Sequence, residues 1–231
     1  MILFNRDLLI DEPMGFVVLM AAVAVALLIG ITFHEFSHAW AANKQGDFTA
    51  TRLGRLTLNP KAHLDPAGTV MLLVAGFGWG RPVPVNPMRL RNGRRGMAFV
   101  SFAGPFSNVL LVGAFSLLFQ SELLSSDDLN GVLQSTDPIK IATLVAWMSI
   151  RLNLILAVFN LIPLAPLDGG GILTGIVPSG WLPAVAKLQR MGPVILIALI
   201  ASTFLTNLNP LGFIFGPVLD LVPTLSTPQF R

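Results

Sequence analysis

The chemistry-bearing residues of this chain are densest at His34-Glu35-Phe36-Ser37-His38. On a helix, residues four apart share one face, so the two imidazoles can close on one cation. Glu35 sits one step round the helix, where its carboxylate can take a proton from a water activated by that cation. Zinc suits imidazole and carboxylate ligands and lowers the pKa of bound water to about 7, which supplies hydroxide at neutral pH. The purely structural account has two histidines satisfied by interhelical hydrogen bonds and Glu35 capping or paired with a base. Three ionisable groups at ligand spacing inside an apolar segment are costly to bury, and their default reading is functional.

A catalytic zinc needs a third protein ligand and an open position. Two residues qualify. Asp168 lies in Pro166-Leu167-Asp168-Gly169-Gly170, where prolines break a helix and glycines allow close approach. His63 lies in Asn59-Pro60-Lys61-Ala62-His63-Leu64-Asp65-Pro66, close enough along the chain to fold back. With no cysteine in the chain, a thiolate site is excluded, as is a disulfide framework. Asn108, in Ala103-Gly104-Pro105-Phe106-Ser107-Asn108, belongs to a stretch suited to tight helix packing, and its amide is also placed to line a site. Arg151 sits about ten residues into an apolar segment, deep enough to require snorkelling or an acidic partner.

The elements that must position these residues are apolar. Of 231 residues, 53% are hydrophobic and 12% charged, and mean hydropathy is +0.72. A soluble domain carries about twice that charge fraction. Apolar runs cover Met14–Ala42, Ala67–Gly80, Met97–Gln120, Ile139–Leu164, Met191–Thr206 and Leu211–Val222. The first, third and fourth are long enough to cross a bilayer, which takes roughly 20 helical residues. The fifth is marginal, and the last is short and interrupted by Pro217. The net charge of +3 does not point to nucleic acid, because the basic residues flank apolar segments. Arg81, Arg89, Arg91, Arg94 and Arg95 share one loop without an acid, which places it in the cytoplasm. Glu122, Asp127, Asp128 and Asp137 mark an outside loop. Asn43–Leu64 is basic as well, so Ala67–Gly80 is expected to dip into the membrane and return, with Gly76, Gly78, Gly80, Pro82 and Pro84 suiting a re-entrant loop. The first thirteen residues lack the basic start of a cleavable signal. In Phe48–Leu58, Thr49, Thr51, Leu53, Arg55 and Thr57 alternate, which predicts a strand.

Taken together, HEFSHAW, GRLTLNPKAHLDPAG, GWGRPVPVNP, AGPFSN and FNLIPLAPLDGG resemble the site-2 protease family of intramembrane zinc metalloproteases, in particular its short bacterial members without a PDZ domain. The resemblance covers nearly the whole chain. It implies one zinc per chain held by His34, His38 and Asp168, with Glu35 as general base and later proton donor. It also implies a membrane-embedded sheet that holds substrate in extended form, although a plain hairpin is the structural alternative for Phe48–Leu58. Asn160 matches an asparagine that the family uses near the active site, for the substrate backbone or the developing oxyanion. Its structural alternative is to satisfy carbonyls freed by Pro163. His63 by default is a structural histidine; its other reading is at the entrance or behind a ligand.

The expected fold is an all-α polytopic membrane bundle of five to six segments, with a re-entrant loop and a small membrane-embedded β element. It forms a single domain over 1–231: metal-ligand helix 14–42, strand and re-entrant region 43–96, helix 97–120, third-ligand segment 139–170 and C-terminal segments 191–223. The expected function is hydrolysis of peptide bonds in or near transmembrane segments of other proteins, in a bacterial or archaeal cytoplasmic membrane. The expected partners are a transmembrane substrate and the lipid bilayer, with no nucleic acid; control comes from the core or from a regulatory membrane partner. The competing reading is a zinc-binding or zinc-transporting membrane protein, since intramembrane His and Asp also mark ion pathways.

Overall fold

Pro13 fixes the φ of a first helical turn, where its missing N–H is no loss, and the helix it opens runs 32 residues. The computed structural model describes residues 6–75, 80–129, 131–205 and 210–227. Its helices are α1 (Arg6–Asp11), α2 (Pro13–Lys44), α3 (Thr49–Arg52), α4 (Pro66–Ala75), α5 (Gly93–Gln120), α6 (Pro138–Leu161), α7 (Asp168–Ile176), α8 (Leu182–Leu205), α9 (Pro210–Leu219) and α10 (Leu221–Leu225). The helices Pro13–Lys44, Gly93–Gln120 and Pro138–Leu161 and the stretch Ser179–Thr203 are long and apolar enough to cross a membrane. The chain is a multi-pass membrane protein.

Helix α2 buries a stripe at every fourth residue: Ala22, Ala26, Gly30, His34, His38 and Ala42. This spacing keeps one face turned inward. Small side chains on its N-terminal half let neighbouring backbones approach, which is how helices associate where lipid removes the hydrophobic drive. The stripe then passes directly into the two histidines. Helix α5 packs against α2, α6 and α7, and α6 packs against α2, so α5 is the central post. Away from the site, α5, α6 and α10 share a core of Val112, Phe119, Ala146, Ile150, Leu154 and Val222. Helix α6 starts where Asp137 accepts the N–H of Ile139 at 2.8 Å, ahead of Pro138 at its first turn.

The fifth segment is no longer marginal. Helix α8 begins at Leu182, nine residues before the apolar run at Met191, because its hydrogen bonding carries through Lys187, Gln189 and Arg190. Only 11% of its most apolar window is buried.

The strand expected over Phe48–Leu58 is not formed. The Asp47 carboxylate accepts the N–H and the hydroxyl of Thr49, which starts the helical turn α3, and Gly54 at φ 68° ends it. Local side-chain capping outcompetes the alternating pattern. Asp47 is fully buried and also accepts the Asn86 N–H at 2.6 Å. Burial pushes its carboxyl up, but these hydrogen bonds and the charge of Arg89 outweigh it and hold it below the ordinary 3.8.

Antiparallel pairing among the described residues is a single bridge, Leu64 with Gly80. That bridge sets the two ends of the Ala67–Gly80 segment side by side. Its first part is α4; residues 76–79, including Gly76 and Gly78, lie outside the described residues. Arg151 has found a partner by stacking over Trp147, 5.6 Å from the ring centroid, which is a cation–π contact.

Candidate metal centre

His34 and His38 lie one turn apart on α2, with ring centroids 4.7 Å apart. Asp168, the first residue of α7, approaches both: its carboxylate oxygens lie 3.0 Å from Nε2 of His34 and 3.2 Å from Nε2 of His38. One ligand atom from each of the three falls within 4.8 Å of the others. Asp168 reaches this depth because the chain breaks at Pro163 and Pro166, turns, and restarts as a helix. That turn has backbone groups with no helical partner. Gln189 of α8 satisfies two of them, accepting the Ala165 N–H at 2.5 Å and donating to the Pro163 carbonyl at 3.2 Å. Irregular backbone at membrane depth survives only with such cover.

The outer nitrogen of each histidine is also engaged. His34 Nδ1 donates to Asn108 Oδ1 at 2.6 Å, and His38 Nδ1 donates to the Val100 carbonyl at 2.8 Å. With the proton on Nδ1, each Nε2 offers a bare lone pair, as a ligating imidazole requires. Asn108 is fully buried.

Gly104 of α5 faces the pair. A Cβ at this position would collide with His38 Nε2 and lie 2.7 Å from His34 Cε1. The space beside the ligand atoms therefore exists only because residue 104 has no side chain.

The donor set fits zinc on two observations. Two imidazole nitrogens and a carboxylate form a combination that catalytic zinc takes. Asp168 Oδ2 is buried and lies 3.0 Å from His34 Nε2, so the carboxylate and the imidazole nitrogens face one another across the space a shared cation would take.

Glu35 lines the same cavity, of about 250 Å³, with the three donors, Asn160, Ser101 and the segment Pro82–Val85. Its Oε2 accepts the Val83 N–H at 3.0 Å. Asn160 donates to the Leu156 carbonyl one turn back at 3.0 Å, so it combines a structural bond with a position on the cavity wall. Asn108 lies behind His34 and not on that wall. His63 stands apart from the three donors. It is fully buried, with Nε2 donating to the Thr57 carbonyl at 2.7 Å and its own carbonyl accepting the Arg81 N–H at 2.7 Å.

Several residues escaped the sequence reading. Arg55, read from the sequence only as part of an alternating strand face, is buried and donates to the Arg81 carbonyl. Burial depresses its guanidinium, the Glu35 carboxylate opposes this, and Arg81 adds to the depression. Gln189, Asn153 and the Val100 carbonyl were also missed. A polar amide inside an apolar run is itself a signal and would have pointed to Asn153; a backbone carbonyl gives none.

The model of peptidase family M50 matches residues 22–202. The chain is 40% identical over 209 residues to "Putative zinc metalloprotease YwhC" of Bacillus subtilis, covering 87% of each chain. It is 30% identical over 213 residues to "Putative zinc metalloprotease Rip2" of Mycobacterium tuberculosis, covering 90% of this chain and 75% of the relative. The Rip2 of Mycolicibacterium smegmatis is 29% identical over 205 residues, covering 85% and 73%. No solved structure matches. The chain belongs to peptidase family M50, the site-2 protease family, and with it to the zinc metalloproteases.

Proposed function

We propose that this M50 member is an intramembrane endopeptidase that hydrolyses peptide bonds in or near the transmembrane segments of other membrane proteins. The observation that carries this reading is the shared cavity: His34, His38, Asp168 and Glu35 face one space within a bundle of apolar helices. His34, His38 and Asp168 hold one zinc per chain. Bound there, zinc supplies a Lewis acid that polarises the scissile carbonyl and makes water nucleophilic at neutral pH. Glu35 takes the proton from the attacking water and passes it to the leaving amine. Asn160 keeps its bond to Leu156 and uses its remaining polar capacity on the substrate carbonyl as charge develops there. The segment Arg81–Val85 flanks the unwound substrate. Pro82 and Pro84 have no N–H, that of Val83 is held by Glu35 and the Arg81 carbonyl is taken by Arg55, so the carbonyls beyond Arg81 are what this edge offers to the substrate's N–H groups.

The arginine-rich loop 81–95 and the stretch 43–64 lie in the cytoplasm, and the acidic loop 122–137 lies outside. The segment 67–80 enters the membrane and returns, a reading supported by the pairing of Leu64 and Gly80 at its flanks. The chain forms one protease domain in the cytoplasmic membrane of a prokaryote, and its substrates reach the cavity through lipid. The test is cleavage of model transmembrane substrates by the purified protein in proteoliposomes, with and without a zinc chelator. Chelator-sensitive cleavage is expected. Zinc movement across the vesicle wall without cleavage of any substrate would replace this reading with transport.

A further inference from the structure

Asn108 and Asn153 form a directional hydrogen-bond chain whose far end is a group that can only accept. Asn153 Nδ2 donates to the Ser149 carbonyl at 2.8 Å. That bond fixes which way the Asn153 amide faces and turns its Oδ1 to Asn108. Asn108 must then present its Nδ2, which donates to Asn153 Oδ1 at 2.7 Å and, at 3.3 Å, to the Gly30 carbonyl. Its Oδ1 is left for His34, whose Nδ1 donates to it at 2.6 Å. An amide can flip and a carbonyl cannot exchange roles, so the order of donors and acceptors is set from Ser149 onward. Asn108, Asn153 and Ser149 are all fully buried, so water does not offer a substitute partner. The chain joins α6, α5 and α2, and Gly30 makes room for it: a Cβ there would lie 2.9 Å from Asn153 Oδ1.

We infer that Asn153, two side chains removed from the cavity, is a positioning residue for the metal centre. Through Asn108 it holds the His34 proton on Nδ1, and so keeps Nε2 free to ligate. This rests on the reading of His34 as a metal ligand. It assigns the amide in mid-α6 a role that α6 packing alone does not require.

The experiment measures zinc affinity by chelator competition, and the visible spectrum after cobalt substitution, for the full chain in detergent. The variants are Asn153→Leu, Asn108→Leu, the double variant and His34→Ala. Partners behind metal-ligating histidines typically contribute 10- to 100-fold in affinity. Asn153→Leu is expected to weaken zinc about 10-fold and to alter the cobalt bands. The double variant should bind no more weakly than Asn108→Leu alone, because both changes act through one bond. Parent affinity and an unchanged cobalt spectrum in folded Asn153→Leu, or losses that multiply in the double variant, overturn the inference. If Asn153→Leu does not fold, nitrogen-15 NMR of the zinc-loaded parent decides, since only three histidines need assignment. A proton on Nδ1 of His34 with zinc on Nε2 supports the inference, and the reverse arrangement overturns it. Full zinc occupancy in His34→Ala would instead sink the ligand reading itself.

Discussion

Oε2 of Glu35 accepts the backbone N–H of Val83 at 3.0 Å, which ties the carboxylate beside His34 to a segment outside its own helix. Val83 stands between Pro82 and Pro84, whose fixed φ angles stiffen that segment. The carboxylate is thus held toward the cavity by a backbone with little freedom to move. A rigid base costs less to align in the transition state than a free one.

Replacing Glu35 with Gln keeps an oxygen that can accept from Val83 but removes the base. Glu35→Gln is expected to fold and to bind zinc as the parent does. Cleavage of a transmembrane substrate in proteoliposomes should fall by roughly 10² to 10⁴, the usual contribution of general acid–base catalysis. A Gln variant that cuts at the parental rate with equal zinc content removes Glu35 from that role.

Metal content of purified variants tests the ligand set. His34→Ala and His38→Ala should lose stable zinc, and Asp168→Asn should bind it far more weakly than the 10- to 100-fold typical of indirect changes. Full occupancy in Asp168→Ala would require another third ligand, and His63 would then have to move to reach the site.

A single added methyl at residue 104 gives a steric test. The Cβ of Gly104→Ala meets His38 Nε2 and crowds His34, so zinc affinity should drop by at least about 10-fold, comparable with losing a partner behind a ligand. Gly113→Ala, on the same helix with open space around it, is the control and should leave affinity unchanged. Equal zinc binding by both variants would show that α5 can move away from the histidines.

Acid should loosen the loop that Asp47 anchors. Its folded pKa lies below the ordinary value, so its stabilisation is complete above that value and is lost as pH falls through the folded one. Thermal unfolding in detergent should show the parent losing its advantage over Asp47→Ala below about pH 4. A gap between the two that stays constant from pH 7 to 3 contradicts this.

Single cysteines can be placed in this cysteine-free chain at Leu53, Met88 and Leu123, which are 63%, 92% and 70% exposed. An impermeant thiol reagent applied to intact cells should label position 123 and spare 53 and 88. Outside labelling at 53 but not at 88 would make the segment 67–80 a true crossing.

The sequence already displayed the parts of this site that lie at fixed chain spacing. His34, Glu35 and His38 are readable because a helix converts a separation of four into a shared face; for the third donor the residues alone left Asp168 and His63 open, and the family resemblance chose Asp168. The apolar runs located α2, α5 and α6 to within a few residues. What escaped depends on contacts between distant segments. Gln189 is one polar residue among several near the start of α8, and only the fold shows it serving the turn before Asp168. The strand over Phe48–Leu58 failed because alternation is a weak signal beside one Asp that can cap a turn. Asn153 was visible as an amide in an apolar run, but its direction follows from the Ser149 carbonyl, which no side-chain pattern reveals.

The donors of the centre come from α2 and α7, which lie far apart along the chain. A cation held by both acts as a cross-link between two distant parts of the chain. Ligand binding stabilises the folded state by mass action, about 4 kcal/mol when free metal exceeds its dissociation constant a thousandfold. Molecules without metal should therefore open more readily and be cleared sooner by cellular quality control. The half-life of this protease, and not only its turnover number, would then follow the metal homeostasis of its host.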